Sequence, residues 1–189
     1  MAAVAAAAEE VGVDIDVAQL AYKDGAMAMI DGWIDSVDRE VAHRLPPEKL
    51  NAMKIRQRIT ALLATRLDIM ASDREALRRA LGVMAMPQNL ARAAKIGWRT
   101  ADRNWRLAGD TATDFNHYTK RITLSAVYGS LLVVFVNDDS ENSAESRAFL
   151  DRRIDNVMQF EKAKAQAKSR SDYVPSLSRF IGRLRYPPR

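Results

Sequence analysis

Two pairs of residues in this sequence have the spacing of metal ligands on a helix. Glu40 and His43 form a Glu-x-x-His pattern, and Asp114 and His117 form an Asp-x-x-His pattern. Two such pairs, joined by carboxylates from two other helices, hold the di-iron centres of helical bundles. The same residues have simpler uses, because Glu40 lies near the end of a predicted helix before Pro46 and Asp114 suits the start of another. We therefore expect neither a metal nor a catalytic residue here.

Other catalytic signatures are missing from the sequence. It has no P-loop, no Gly-rich dinucleotide fingerprint, no His-Glu-x-x-His motif and no nucleophile elbow. It also has no cysteine, which excludes a disulfide scaffold and thiolate chemistry and is compatible with a reducing, intracellular compartment. These absences predict a protein that is not an enzyme and that needs no cofactor.

A long stretch without a charged residue covers residues 122 to 136. It is too short to cross a bilayer, which takes about 20 apolar residues. Capped by Thr113 or Asp114, it predicts a helix over residues 114–137, although residues 131–136 also fit a buried strand. An apolar helix must be covered on every side, so we expect a second subunit, a membrane or an apolar ligand against one face. Its large apolar residues are Ile122, Leu124, Val127, Tyr128, Leu131, Leu132, Val133, Val134, Phe135 and Val136.

The apolar residues of the remaining long segments recur at helical spacing, which predicts an all-α chain. Ser72 and Glu75 have the spacing of a capping box, and Ser143 is predicted to cap the long helix that follows it. Residues 169–172 are predicted to be a linker. The predicted helices, besides the one that the capping box begins, cover residues 2–10, 16–22, 24–45, 47–70, 87–108, 114–137, 143–168 and 175–186.

The first 22 residues have the helix, Gly turn, helix order of a helix-turn-helix, but their charge does not suit DNA. They contain Glu9, Glu10, Asp14 and Asp16 and no Lys or Arg, so they lack the cations that contact phosphates. We interpret them as a degenerate motif that is kept for packing. The motif is truncated, because the helix that would precede it lies outside this sequence. With no basic residue before Lys23, the stretch resembles neither a signal nor a transit peptide.

The net charge of +5 is unevenly distributed along the chain. Residues 162–189 hold eight Lys and Arg and one Asp, or +7, so the first 161 residues sum to −2. Such a basic tail favours an anionic surface. The predicted helix at residues 175–186 is amphipathic and suits reversible membrane binding. Its apolar face and its cations are Leu177, Phe180, Ile181, Leu184, Arg179, Arg183 and Arg185.

The run Gly-Asp-Thr-x-Thr-Asp-Phe-Asn, within residues 108–121, resembles the Coq-nine family of ubiquinone-biosynthesis accessory proteins. The resemblance extends to residues 54–59, 81–89, 136–138 and 149–154. It implies an all-α, TetR-like helical bundle with a degenerate N-terminal helix-turn-helix and a C-terminal amphipathic helix. It also implies a homodimer that binds an isoprenoid quinone or phospholipid and presents quinone intermediates to the demethoxyubiquinone hydroxylase, a di-iron enzyme.

The resemblance also implies where these properties lie. We expect residues 1–45 to hold the degenerate motif and its connecting helix, residues 46–168 the lipid-binding and dimerisation domain, and residues 169–189 the linker and membrane helix. Dimer contacts are expected from residues 114–137 and 143–160. The expected location is cytoplasmic and peripheral on the inner membrane, on the matrix side in a eukaryote.

Individual residues follow from the same resemblance. The candidates for partner binding are Trp98 and Trp105, with core packing favoured for Trp98 and left open for Trp105. His117 departs from the family pattern, in which many relatives carry an aromatic residue. A TetR-type transcriptional regulator that binds nucleic acid is the alternative function, and the acidic first 22 residues oppose it. The candidates for lining a lipid cavity, each of which also suits a core or a dimer interface, are Phe115, Tyr118, Ile122, Tyr128, Leu132 and Phe135.

Overall fold

The computed structural model describes residues 2–113 and 115–171, and this part of the chain is helical without a strand. The predicted all-α fold is confirmed, and residues 131–135 lie in a helix rather than a strand. Short 3-10 turns precede three of the helices. The helices are α1 (Ala2–Val11), α2 (Ile15–Ala21), α3 (Ala26–Arg44), α4 (Pro47–Asn51), α5 (Ile55–Met70), α6 (Arg74–Met84), α7 (Leu90–Leu107), α8 (Phe115–Phe135) and α9 (Ala144–Ser171).

Helix α8 lies at the centre of the bundle, with α7 on one side and α9 on the other. Leu131 and Phe135 are fully buried in the same core as Leu62 and Leu63 of α5. Fully burying side chains of this size contributes about 1.5–3 kcal/mol each before ordering entropy is subtracted. The core is therefore assembled around α8, as its lack of charge predicts.

Ion pairs fix the direction of two helices. Arg147 of α9 pairs with Asp68 near the end of α5, and Asp155 pairs with Arg56 at its start, 2.7 Å apart, so α9 runs antiparallel to α5. Helix α7 runs parallel to α3, because the ladder of Asp31 with Arg99 and Asp35 with Arg103 rises along both. The arginine ladder holds α3, which carries α1 and α2, against the body of the bundle.

The N-terminal helices α1 and α2 lie where the sequence predicted the helix-turn-helix pair. Gly12 has a φ of 69°, which glycine adopts at little cost, and it ends α1. The Asp14 carboxylate then accepts hydrogen bonds from the amides of Asp16 and Val17, at 2.9 and 3.0 Å, and caps α2.

The single helix predicted over residues 47–70 is wrong, because the chain breaks between α4 and α5. Arg58 explains the break. Its guanidinium binds the carbonyls of Met53, at 2.9 Å, and Asn51, at 3.3 Å, which a continuous helix would use internally. The amide of Lys54 donates to the side chain of Gln57 at 2.9 Å, and α5 begins again at the next residue.

The two predicted serine caps are also wrong. Ser72 lies in a 3-10 turn and its hydroxyl donates to Asp73 at 3.2 Å, so α6 begins at Arg74 without a side-chain cap. Ser143 has a φ of 55°, and its hydroxyl accepts a hydrogen bond from Arg74 instead of capping α9. Both serines are used by neighbouring side chains that periodicity does not reveal.

The buried carboxylate of Asp138 does the capping at the start of α9. It accepts hydrogen bonds from the amides of Ser140 and Ser146, at 2.9 and 2.8 Å, and from both hydroxyls. Burial opposes ionisation, but these bonds outweigh it and lower the pKa of Asp138 well below its usual range. Arg74 and Arg78 of α6 donate to the carbonyls of Asp138 and Val136, which fixes the corner between α8 and α9.

The linker predicted at residues 169–172 is helical as far as Ser171, because α9 continues to that residue. The rest of the linker and the amphipathic segment 175–186 lie outside the described residues, as does Asp114. The membrane-binding candidates Leu177, Phe180, Ile181, Leu184, Arg179 and Arg183 are therefore outside them too.

We expect Asp138→Asn to lower the free energy of unfolding by about 1–3 kcal/mol at pH 7, because an amide cannot accept all four hydrogen bonds. The pKa of Asp138 is lower in the folded protein than in the unfolded chain, where it is about 3.8. Its contribution to the free energy of unfolding is therefore present above that pH and is lost as the pH falls further. The variant should therefore lose less stability than wild type between pH 4 and 2, a range set by that value. Denaturant unfolding across pH tests this, with exposed Asp139→Asn as the control that should change little.

Candidate functional site

The larger of two apolar cavities that flank α8 lies between α6, α7 and α8 and has a volume of about 400 Å³. Its position suits the uncharged stretch of α8, which supplies one wall. Ile34 of α3 closes one end. The walls are formed mainly by Leu77, Ala80, Leu81, Met84, Ala93, Ala94, Gly97, Trp98, Ile122, Ser125, Tyr128, Gly129 and Leu132.

Small residues on facing helices create this cavity. Helices α7 and α8 approach closely where the Ser125 hydroxyl donates to the carbonyl of Gly97 at 3.2 Å. A Cβ atom added at Gly97 or at Gly129 would meet no other atom within 4 Å. A glycine inside a helix costs about 1 kcal/mol relative to alanine, yet here the space that a side chain would fill is open.

Trp98 lines the opening of the cavity, and two further aromatic side chains lie against its ring. The ring of Trp98 lies 6.1 Å from that of Tyr118 and 6.2 Å from that of His117, between ring centroids. The Nδ1 atom of His117 is 2.9 Å from the carbonyl of Ala112, which holds the ring beside the loop before α8. Together with exposed Ile122, these rings give the opening an apolar and aromatic edge.

A buried ion pair lies behind the inner wall. The Arg66 guanidinium is 4.9 Å from the centroid of the Tyr128 ring and pairs with Asp38 of α3. Arg103 donates to the other oxygen of Asp38 at 2.7 Å. The hydroxyl of Thr100 is fully buried and has no hydrogen-bond partner among the described residues, and the hydroxyl of Tyr128 is buried too. Because these polar atoms are covered, the inner wall presents carbon to the cavity.

The smaller cavity, about 280 Å³, lies on the other side of α8, against α5 and α9. Trp105, Val127 and Met158 are among its lining residues, and Lys120 lies at its edge. The Nζ atom of Lys120 is 2.6 Å from a carboxylate oxygen of Asp110 and 5.2 Å from the centroid of the Trp105 ring. Helix α8 thus separates two apolar spaces.

The loop that carries the family resemblance fixes the start of α8. Gly109 has a φ of 89°, and an added Cβ would lie 3.0 Å from Arg58, so another residue is disfavoured there. Asp110 accepts from Lys120 and, at 3.1 Å, from buried Arg121. Burial opposes ionisation of Asp110, but these two cations outweigh it and lower its pKa. The motif is a structural junction beside the smaller cavity.

The structure brings together three of the six residues predicted to line a lipid cavity. Ile122, Tyr128 and Leu132 line the larger cavity. Phe115, which is 74% exposed, and Tyr118 lie on the surface near its rim. Phe135, fully buried, packs beneath the guanidinium of Arg74 with 4.4 Å between that group and the ring centroid, and it lines neither cavity. A role in lipid binding stays a prediction for all six.

The two tryptophans occupy different environments. Trp105 is 6% exposed, and its Nε1 donates to the carbonyl of Lys120 at 3.0 Å, which favours the core alternative. Trp98 is half-buried at the rim and remains accessible to a partner. Partner binding through either residue stays a prediction.

Sequence reasoning missed the glycines at 97 and 129, although a signal was present. Both lie inside helices, where glycine is unfavourable, and small residues accompany them at helical spacing, Ala93 and Ala94 on α7 and Ser125 on α8. Such facing runs of small residues leave either a close helix contact or an open space. Only the structure shows that both occur here.

The described residues contain no group of three His, Cys, Asp or Glu that could hold a metal ion. Glu40 lies 4.0 Å from His43 and accepts a hydrogen bond from Arg44 at 2.6 Å. None of the helices in the described part is long and apolar enough to cross a membrane. Val133 and Phe160, on the two helices expected at a dimer contact, are exposed, and the homodimer stays a prediction.

Comparison with known proteins relates this arrangement to one family. A profile described as COQ9 matches residues 90–161, which contain most of both cavity walls. The ubiquinone biosynthesis protein COQ9 of Rattus norvegicus is 28% identical over 174 residues, and the Homo sapiens protein is 26% identical over the same length. Each match covers 88% of this chain. Over this region the chain is similar to the COQ9 family.

The curated COQ9 proteins are longer than this chain. The chain spans 55% of the length of the rat protein and 54% of the human one, and both are named as mitochondrial. Among solved structures, a TetR transcriptional regulator from Nitrosomonas europaea superimposes with a TM-score of 0.64 at 22% identity, over 80% of this chain and 83% of that one. This likeness confirms the TetR-like fold.

We expect Trp105→Ala to lower the free energy of unfolding by about 3–5 kcal/mol, because it removes a buried aromatic side chain and leaves a cavity. Trp98→Ala, at the half-buried rim, should lower it by much less. Thermal and urea unfolding of the two variants measure the difference. Equal stability of Trp105→Ala and wild type would contradict the core role and favour the partner role.

Proposed function

We propose that this chain is a lipid-binding accessory protein of ubiquinone biosynthesis. The observation that carries the proposal is the open cavity between α6, α7 and α8, kept free by Gly97 and Gly129. Its volume of about 400 Å³ falls within the 300–1,000 Å³ that is typical of ligand pockets. The COQ9 relatives are named for ubiquinone biosynthesis, and we take the class of ligand from the intermediates of that process.

The ligand that we propose is an isoprenoid quinone intermediate whose tail enters the cavity. Ile122, Leu132 and Met84 offer it carbon surfaces, and α8 carries no charge along this wall. A charged head group would find no free cation among the lining residues. The aromatic rim at Trp98 and Tyr118 suits a flat ring at the opening, because offset aromatic contacts favour such stacking.

We further propose that the rim presents the ligand to the pathway's di-iron hydroxylase. Phe115, Tyr118 and Ile122 are exposed on the first half of α8, and Trp98 lies beside them. Clustered exposed aromatic residues are typical of protein interfaces, where they supply much of the binding energy. Because the patch borders the opening, a bound partner would face the ligand directly.

An accessory role suits this chain better than catalysis or DNA binding. The Glu40 carboxylate is occupied by Arg44, and the described residues hold no metal-binding group. Helix α2, in the position of a recognition helix, carries Asp16 and no Lys or Arg. No observation favours the transcriptional regulator, so we retain only the lipid-binding proposal.

We expect Gly129→Leu to reduce the lipid that copurifies with the protein to a small fraction of the wild-type amount, because the new side chain would occupy the cavity. Organic extraction and mass spectrometry of purified protein measure the lipid, and a quinone or its precursor is the expected species.

The matched control is Gly82→Leu. Gly82 also lies within a helix, and an added Cβ there also meets no atom within 4 Å, but it does not line the cavity. Both variants should fold, as circular dichroism can show, and the control should retain its lipid. Equal lipid in both variants would contradict the assignment of the site.

We also propose that residues 175–186 bind membranes reversibly. Leu177, Phe180, Ile181 and Leu184 follow helical spacing, and each neighbouring arginine near an anionic leaflet adds about 1 kcal/mol. The full chain should float with vesicles that contain phosphatidylserine, and less so at high salt. Deleting residues 174–189 should abolish flotation and preserve the thermal transition; undiminished flotation of the truncated chain would show that the anchor lies elsewhere.

A further inference from the structure

The helices α1 and α2 expose a cluster of large apolar side chains. Isolated exposed apolar residues are normal on proteins, but five within ten consecutive residues form a patch of the kind that marks a binding site. None of them is needed for the cavities that flank α8. They are 43% to 71% exposed and comprise Val11, Val13, Ile15, Val17 and Leu20.

This patch borders a groove of about 590 Å³ between the helix pair and α3. Ala3 and Ala7 of α1 line one side, Val17 of α2 lines another, and Met29 and Trp33 of α3 form the floor. The small alanines leave room for side chains from outside, and the valines supply apolar walls. The groove has the character of a helix-binding surface rather than of a small-molecule pocket.

The charge around the groove selects the kind of partner. Glu9, Glu10, Asp14 and Asp16 are all exposed, and the first 22 residues contain no Lys or Arg. Arg39 of α3 also lines the groove, but its charge is paired with that of Asp35. Such a surface repels phosphates and attracts a cationic polypeptide. The occupant should therefore be an amphipathic helix with basic residues beside its apolar face.

This chain itself contains a segment with that pattern. In residues 172–189 the apolar residues Leu177, Phe180, Ile181 and Leu184 would share one face of a helix. The segment has four arginines and one Asp, which gives +3, opposite in sign to the groove. We propose that residues 175–185 of a second copy of this chain dock in the groove formed by α1, α2 and α3.

The geometry of the bundle indicates a second copy rather than the same molecule. The second half of α9 lies beside the start of α5, where Arg56 binds Asp155, and α9 runs on past this point to Ser171. Arg58 of α5 also binds the carbonyl of Ala108 at the end of α7, which is parallel to α3. Helix α9 therefore extends beyond the end of the bundle where α3 finishes, whereas the groove lies along α3 between Met29 and Arg39.

The lengths agree with this. From Asp155, which pairs with Arg56, helix α9 continues to Ser171, and this stretch carries its end about 24 Å further from the groove at 1.5 Å per residue. Residues 172–176 span at most about 18 Å when fully extended. A tail from the same molecule therefore begins too far from the groove, while a tail from a neighbouring molecule has no such limit.

The consequence is a competition for one segment. The apolar face of residues 175–185 cannot contact a membrane and the groove at once, so membranes and self-association would oppose each other. At high protein concentration without membranes, the C-terminal segment of one copy would dock in the groove of another. Anionic vesicles would compete for this segment and separate the copies. The proposal does not depend on the lipid cavity, and it survives if that proposal fails.

A labelled synthetic peptide of residues 172–189, added to the full chain, tests the docking by fluorescence anisotropy. The peptide should bind, and binding should weaken as salt screens the charges. Glu9→Lys, Glu10→Lys and Asp16→Lys together should weaken it by about tenfold, the combined effect of three exposed ion pairs. Val17→Ser with Leu20→Ser should weaken it through the apolar contact.

The decisive experiment reverses the charges of both the peptide and the groove. A peptide with Arg179→Glu, Arg183→Glu and Arg185→Glu should bind the triple lysine variant and not the wild type. The control Glu48→Lys, Asp139→Lys and Glu141→Lys changes exposed acids elsewhere and should leave wild-type peptide binding intact. Circular dichroism should show the same thermal transition in every variant, because the changed residues are exposed.

Three outcomes would overturn the proposal. The first is equal binding of the wild-type peptide to the triple variant and to its control. The second is failure of the reversed peptide to bind the triple lysine variant. The third is a peptide that binds phosphatidylserine vesicles but not the chain, which would give the segment a membrane role alone and leave the membrane proposal intact.

Discussion

The structure depends on one constraint, which is that helix α8 carries no charge over four turns and is stabilised by covering its apolar residues. Helices α5, α7 and α9 cover most of it, and the fully buried Leu131 and Phe135 mark where the cover is complete. Gly97 and Gly129 have no side chain to fill the space beside α8, and a cavity results. The same property of α8 therefore produces both the core and the candidate site.

Arginines rather than hydrophobic contacts define the corners around that core. Arg58 ends α4 by binding its free carbonyls, and Arg74 and Arg78 do the same at the end of α8. Arg121 joins Asp102 to Asp110 at the start of α8. Because the guanidinium stays charged at any physiological pH and offers five donors, each of these residues can satisfy several backbone or carboxylate oxygens together. The result is a bundle whose turns are held by side chains from distant helices.

This division explains how much could be predicted from the sequence. Helices that depend on their own periodicity, such as α3 and α7, lie where the apolar spacing places them. Predictions failed where an arginine side chain binds oxygen atoms outside its own helix. Arg58 binds the carbonyl of Met53 and interrupts the helix expected over residues 47–70, and Arg74 donates to the hydroxyl of Ser143. Periodicity describes one helix at a time and contains no information on which side chain arrives from another.

The candidate site was predictable in part for the same reason. The uncharged stretch identified α8 as a wall, and three of its residues, Ile122, Tyr128 and Leu132, line the cavity. The side of α8 that faces open space depends on how closely α7 approaches, and this depends on Gly97 and Ser125. Phe135 and Trp105 look equally suitable in sequence, but they lie beneath Arg74 and Lys120. A large aromatic residue fills space, whereas the site is defined by residues that leave space empty.

The two helical glycines have a consequence for the lifetime of the protein. Each weakens its helix by about 1 kcal/mol relative to alanine. The free energy of unfolding of the protein without a ligand is therefore lower than it would be with alanine at these positions. A ligand that binds only the folded state adds stability according to its concentration, by about 2.7 kcal/mol at a hundred times its dissociation constant. Proteases in cells act on the unfolded fraction. The abundance of such a protein would then follow the supply of the molecule that fills its cavity, and unloaded copies would be the first to be degraded.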